Sequence, residues 1–151
     1  MVDFFISYNS ADKDWAEWIA FILEENQYTT VIQVWDFRPG SNFALEMQKA
    51  ASDANKTIIV LSNNYLKSRY TQPEWAAAFA DDPTGNQRKL IPVKVEECSP
   101  NGLLDKIVHI NIAHLDSKEA EKALLSGLKE DVRPKTKVKF PGKKKSVIKS
   151  A

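Results

Sequence analysis

The chain has 151 residues, 43% of them hydrophobic, which is enough for one domain with a sizeable core and little more. Apolar runs such as FFI and TIIVL are far too short to cross a bilayer, and its lone cysteine, Cys98, excludes an internal disulfide. The net charge of +1 hides an asymmetry: residues 133–151 carry eight Lys or Arg and no acid, leaving thirteen bases and twenty acids, a charge of −7, on residues 1–132.

In chain order, Val2–Tyr8 is apolar and β-rich and reads as a buried strand. Ser10 or Asp12 can cap the helix that follows, where Trp15, Trp18, Ile19, Ile22 and Leu23 recur at helical spacing as far as Asn26. Tyr28–Val34 is expected as a second strand. The loop Trp35–Gly40 leads to a helix over Phe43–Ala54, with Ser41 or Asn42 as its cap and Phe43, Met47 and Ala50 or Ala51 on one face. Thr57–Leu61 reads as a third, fully apolar strand, and Asn63 to about Arg69 as a short helical turn. Pro73 can open a helix through Phe79, and Asp81–Gln87 is a polar loop. Strands over Leu90–Val95 and Ile107–Ile112 follow, then a helix over Ser117–Leu128 with Ser117 as its expected cap. Pro134, Pro141 and Gly142 punctuate the basic end, which shows no amphipathic period and reads as a flexible linker, so the expected units are a domain over 1–132 and a tail over 133–151.

Strands alternating with helices imply right-handed crossovers and a parallel sheet with helices on both faces. The expected fold is α/β and flavodoxin-like, an open five-stranded parallel sheet in the order 2-1-3-4-5. Such sheets bind ligands beyond the carboxyl ends of their strands, near the switch point between strands one and three. Tyr8–Ser10, Trp35–Gly40 and Ser62–Glu74 converge on that edge.

Three segments there could carry chemistry. FISYNSADKDW places Tyr8 and Asn9 where they could stack on a planar ring or bond a ribose, or simply end a strand and cap a helix. In WDFRPGSNF, Arg38 could fork onto a phosphate and Trp35 stack on a purine or nicotinamide; an exposed aromatic beside Arg is equally the composition of a protein-contact hot spot. In SRYTQPEWAAAF, Glu74 follows Tyr70 by four positions; it could act chemically or merely complement a helix dipole.

Together these segments resemble a Toll/interleukin-1 receptor (TIR) domain over about residues 1–130, and are closest to TIR modules at the start of bacterial multidomain immune proteins. The resemblance implies a cytoplasmic NAD+ glycohydrolase, in which Glu74 is the catalytic carboxylate and Ser7, Tyr8, Asn9, Trp35, Asp36, Arg38 and Tyr70 contact NAD+ as substrate. The leaving nicotinamide is already cationic, so one ionised carboxylate suffices to stabilise an oxocarbenium-like transition state. Water capture gives ADP-ribose; attack by the substrate's own hydroxyl or adenine gives a cyclic ADP-ribose. Two departures stand out. Tyr70 replaces the usual tryptophan, and many TIR enzymes carry an acid seven positions before the loop glycine, where this chain has Gln33 and Asp36 is the nearest substitute.

The resemblance also implies homotypic assembly with other TIR domains, further domains in a larger parent and a role in immune signalling such as antiphage defence; the competing reading is a non-catalytic interaction module. No cofactor or metal is expected, since His109, His114 and Cys98 do not make a plausible zinc site. Nor is a membrane partner expected, and nucleic acid is unlikely. A receiver domain of the same topology needs an acidic pair after strand one and an Asp ending strand three, where this chain has Ser7-Tyr8 and Leu61-Ser62. A dinucleotide fold needs a glycine-rich loop that is missing here.

Overall fold

The computed structural model describes residues 2–67, 82, 85–100 and 102–143. Five strands, β1 (Val2–Ser7), β2 (Thr30–Ile32), β3 (Ala54–Leu61), β4 (Leu90–Lys94) and β5 (Ile110–Asn111), form one parallel sheet in the order β2-β1-β3-β4-β5. The described helices are α1 (Lys13–Glu25), α2 (Gln33–Asp36), α3 (Phe43–Asp53), α4 (Asn63–Lys67) and α5 (Ser117–Leu128). The expected helix over Pro73–Phe79 lies outside the described residues, as do Tyr70 and Glu74.

The strands are apolar without alternation because both of their faces are covered. Phe4, Ile6, Ile58, Val60, Ile91 and Val93 point to one face and pack beneath Ile19 and Leu23 of α1 and Leu124 and Leu128 of α5. The opposite parity, Ile59 and Leu61, packs with Tyr65 of α4 and Leu104 in a 3-10 turn over Gly102–Lys106. Helix α3 packs against β1 and β3.

Several boundaries differ from the sequence reading. Strand β2 stops at Ile32 because the Asp36 carboxylate accepts the Ile32 N–H at 2.7 Å and curls the next four residues into α2. Strand β3 begins earlier, at Ala54, since its extra residues pair with Val2 and Phe4 of β1. Only Ile110 and Asn111 of the expected last strand join the sheet; Val108 is 90% exposed. Asp116 rather than Ser117 caps α5, accepting from the Glu119 N–H at 2.8 Å. Helix α1 ends at Glu25 with Gln27 left-handed at φ 72°; its N–H and that of Tyr28 reach back to the carbonyls of Glu24 and Leu23. This stop usually takes glycine, and a side chain there carries a strain of roughly 1 kcal/mol.

Over residues 129–143 the chain forms neither helix nor strand, and all of them are exposed. Arg88 fastens the exit, donating to the carbonyls of Gly127 and Lys129, while Lys56 and Arg88 each meet Glu130 at 3.4 Å.

Candidate functional site

A cleft of about 460 Å³ opens at the carboxyl ends of β1 and β2. Tyr8, Ser10, Lys13, Gln33, Phe37, Arg38, Gly40 and Phe43 are among its lining residues.

Its floor is set by β1. Burial in the sheet sends Tyr8 inward, 9% exposed, and its hydroxyl accepts the Val34 N–H at 3.1 Å. Burial raises the phenol's pKa; the Val34 N–H opposes this and the Glu17 charge adds to it, so the phenol stays protonated and keeps a proton to donate into the cleft. The wall is the turn Arg38-Pro39-Gly40-Ser41, closed by the Ser41 N–H on the Arg38 carbonyl at 3.1 Å. Pro39 occupies the second position and Gly40 takes φ 93° at the third, the chemistry of a type II turn. Asn42 then caps α3, accepting from the Leu45 N–H at 3.1 Å. Phe37 and Phe43 meet edge to face, with ring centroids 6.0 Å apart, and steady the two ends of this loop.

The residues singled out from sequence separate into groups. Tyr8 and Arg38 line the cleft, and Arg38 is exposed. Ser7 does not reach it: the side chain is 1% exposed and its hydroxyl is bonded to the Tyr65 hydroxyl at 3.0 Å. Asn9 is occupied in building the loop, accepting from the Ala11 N–H at 2.9 Å and donating to the Asn64 carbonyl at 3.4 Å. Trp35, 37% exposed, is absent from the described lining; its indole N–H donates to Glu17 of α1 at 2.8 Å. Asp36 points back to Ile32, so the nearest substitute for the missing acid is used in shaping α2, while Gln33 itself lines the cleft. Tyr70 and Glu74 lie outside the described residues.

Lys13 was not foreseen as a cleft residue. Its signal in the sequence is only its place five residues after Tyr8, and it becomes legible once the 3-10 turn Ser10–Asp12 sets the phase of α1. With Arg38 it gives the described lining two cations and no carboxylate, on a body of charge −7.

A buried polar chain links the ends of β1 and β3. Asp12 was a candidate helix cap, but its carboxylate makes no capping bond and instead accepts from the Ser62 hydroxyl at 2.5 Å. The Ser62 oxygen accepts the Tyr65 N–H at 3.0 Å, and Tyr65 joins Ser7. Asn9 caps the 3-10 turn Ser10–Asp12, and Asp12 stands at the N-cap position of α1 without a capping bond from its side chain. The chain ties the ends of β1 and β3 to the starts of α1 and α4. Among the described residues no three His, Cys, Asp or Glu side chains gather as metal ligands, and burial, only partly opposed by Lys94, raises the Cys98 thiol above its ordinary pKa.

An open parallel sheet in the order β2-β1-β3-β4-β5 with helices on both faces defines a flavodoxin-like α/β domain. The family model for the TIR domain matches residues 4–125, and the chain belongs to that family. The fold is similar to the TIR domain of the Toll-related receptor TRR-2 from Hydra magnipapillata, at TM-score 0.70 and 21% identity, covering 85% of this chain and 95% of that one. A TIR-STING receptor from C. gigas in complex with 2',3'-cGAMP matches at TM-score 0.67 and 24% identity, covering 80% of this chain and 38% of the other. The TIR domains of the activated Roq1 resistosome match at TM-score 0.65 and 16% identity, covering 85% and 98%. No curated protein matches the sequence. No described helix is long and apolar enough to cross a membrane.

Proposed function

We propose that this domain cleaves the nicotinamide–ribose bond of NAD+, releasing nicotinamide and either ADP-ribose or a cyclic ADP-ribose. The observation that carries this reading is the composition of the cleft. Aromatic walls from Tyr8, Phe37 and Phe43 stand beside Lys13 and Arg38, and this suits a ligand that joins flat rings to phosphates. Membership of a family with NAD+-cleaving members supports it, as does the spacing of Tyr70 and Glu74 after β3. In this reading Glu74, ionised, stabilises the oxocarbenium-like transition state, and Tyr70 stacks near the leaving ring. Arg38 and Lys13 hold the diphosphate, and the Tyr8 hydroxyl donates to a ribose oxygen. Ser7 and Asn9 act by holding the cleft's floor, and Trp35 and Asp36 by holding the α2 turn that carries Gln33. No resident cofactor takes part; association with further copies brings the domain to activity.

A specific observation favours a second reading, a non-catalytic assembly module. Val34, Trp35, Phe43 and Leu45 are 37%, 37%, 45% and 62% exposed and cluster in sequence around the Pro-Gly turn, a composition suited to a protein contact.

The deciding experiment follows NAD+ consumption and nicotinamide release by concentrated protein, with and without a crowding agent, for wild type and Glu74→Gln. Catalysis predicts turnover that falls on the order of a hundredfold or more in the variant, with the circular dichroism spectrum unchanged. Wild-type turnover by Glu74→Gln would remove Glu74 from the chemistry. No turnover by wild type at any concentration would leave the assembly reading.

A further inference from the structure

We propose that the amino-terminal edge of the sheet is a pairing surface, where residues 133–143 of a second copy of this chain dock and the two copies exchange these segments in a two-fold dimer. The surface lies at the opposite end of the strands from the cleft and does not depend on the NAD+ reading.

A groove of about 370 Å³ opens at the starts of β1 and β3, beside the end of α5. Its base is apolar: Phe4 and Leu128 line it, and Tyr28 meets Phe4 edge to face with ring centroids 5.2 Å apart. Its rim carries the carboxylates of Asp3, Glu130 and Asp131 and the amines of Lys56 and Lys129. Lys56 is already committed, donating to the carbonyls of Gln87 and Arg88 at 2.6 and 3.2 Å and meeting Glu130 at 3.4 Å. Arg88, nearby, is held by the carbonyls of Gly127 and Lys129. The helix ends add negative charge. Helices α1, α3 and α5 all run back to this edge, and none has a base in its last turn. Helix α1 closes on Glu24 and Glu25 and α3 on Asp53, so carboxylates stand where the helix dipoles are already negative.

The chain carries the complement to this groove. Residues 133–143 hold five bases, no acid and one aromatic, Phe140. Phe140 is 71% exposed, so the domain it belongs to does not use the ring. The ring suits the apolar base, and Lys137 and Lys139 beside it suit the carboxylate rim. The groove is not filled by the chain's own tail, which leaves from the rim at Asp131 and is exposed at every residue from Val132 to Lys143. The occupant is the same segment of another copy. Tail root and groove share one face, so two copies set face to face each offer both, and the exchange closes with two-fold symmetry instead of growing a chain. Nine peptide units separate Asp131 from Phe140, at most about 30 Å, and the bends at Lys135 and Thr136 shorten that reach to a copy in direct contact. The bodies, −7 each, repel one another, but each then faces five positive charges from its partner's tail. Two exchanged segments reinforce each other, because docking the first raises the effective concentration of the second.

The test is sedimentation equilibrium of the 151-residue protein from low to high micromolar concentration, at about 0.05 M and 0.5 M salt. A dimer is expected at the lower salt and high concentration, and monomer at the higher salt. This is opposite to association opposed by the body charge, which salt favours. Phe140→Ser should weaken the dimer tenfold or more, and Lys137→Glu/Lys139→Glu or Asp131→Lys several-fold. Leu45→Ser, near the cleft, should leave it intact. Monomer under all conditions, species larger than a dimer, a dimer indifferent to the first three variants, or one abolished by Leu45→Ser would each overturn the proposal. So would a melting temperature lowered by Phe140→Ser in dilute, monomeric protein, which would place the tail on its own domain. The readout is mass and stability, so a negative result here leaves the NAD+ assay to be judged by itself.

Discussion

Replacing Ser62 by alanine should be among the most damaging single-atom deletions outside the apolar core. The Ser62 hydroxyl is fully buried, donates to the Asp12 carboxylate at 2.5 Å and accepts the Tyr65 N–H at 3.0 Å. Neither partner can turn to water, since Asp12 is 6% exposed and Tyr65 1%. Losing a hydrogen bond to a buried charge costs about 2 kcal/mol. Tyr65 sits in the first turn of α4, and losing the side-chain cap there costs about 1 kcal/mol more. The expected total is about 3 kcal/mol, or roughly 10 °C in melting temperature for a domain of this size. Chemical denaturation of wild type, Ser62→Ala, Asp12→Ala and the double variant measures it. Both single changes break the same bond, so the double variant should cost at least 1 kcal/mol less than the sum of the two. A loss below about 0.5 kcal/mol for Ser62→Ala, or strict additivity, would refute the claim that this bond ties the end of β3 to the start of α1.

Three further outcomes are expected. Deleting residues 134–151 should leave the melting temperature within a few degrees of wild type, because the described tail residues are exposed; a drop of more than about 5 °C would show that the tail docks on the body. Burial acts to raise the Asp82 pKa, but the N–H groups of Lys89 and Gln87 and the charges of Lys89 and Lys56 outweigh it, so the folded-state value lies below the unfolded 3.8. The stability this contributes is present above the unfolded value and is lost as pH falls through the folded one, so the melting-temperature advantage of wild type over Asp82→Asn should shrink below about pH 3.8, and a constant difference would contradict it. Any NAD+ cleavage should rise steeply with protein concentration and with added salt, which screens the body's −7; specific activity that stays flat from nanomolar to high micromolar protein would mean that the monomer is competent.

The sequence by itself was sufficient for the fold. Runs such as FFI and TIIVL, separated by segments of helical period, admit only strands covered on both faces, and right-handed crossovers then leave few strand orders. The loop Trp35–Gly40 was legible because Pro39 and Gly40 encode a turn type locally. What sequence could not supply is the direction in which each side chain is used. Trp35, Asp36 and Ser7 look like ligand groups on a strand edge, yet their partners, Glu17, the Ile32 N–H and Tyr65, lie as far as 58 positions away or are created by the turn itself. Asp12 reads as a cap because capping is a local bond; its partner Ser62 lies 50 residues on. Lys13 lines the cleft once the 3-10 turn Ser10–Asp12 sets the start of α1. Periodicity and turn chemistry are short-range and therefore written in the chain. Which polar atom answers which is settled by packing, which brings distant strand ends together and leaves some groups to face the cleft and others to face each other.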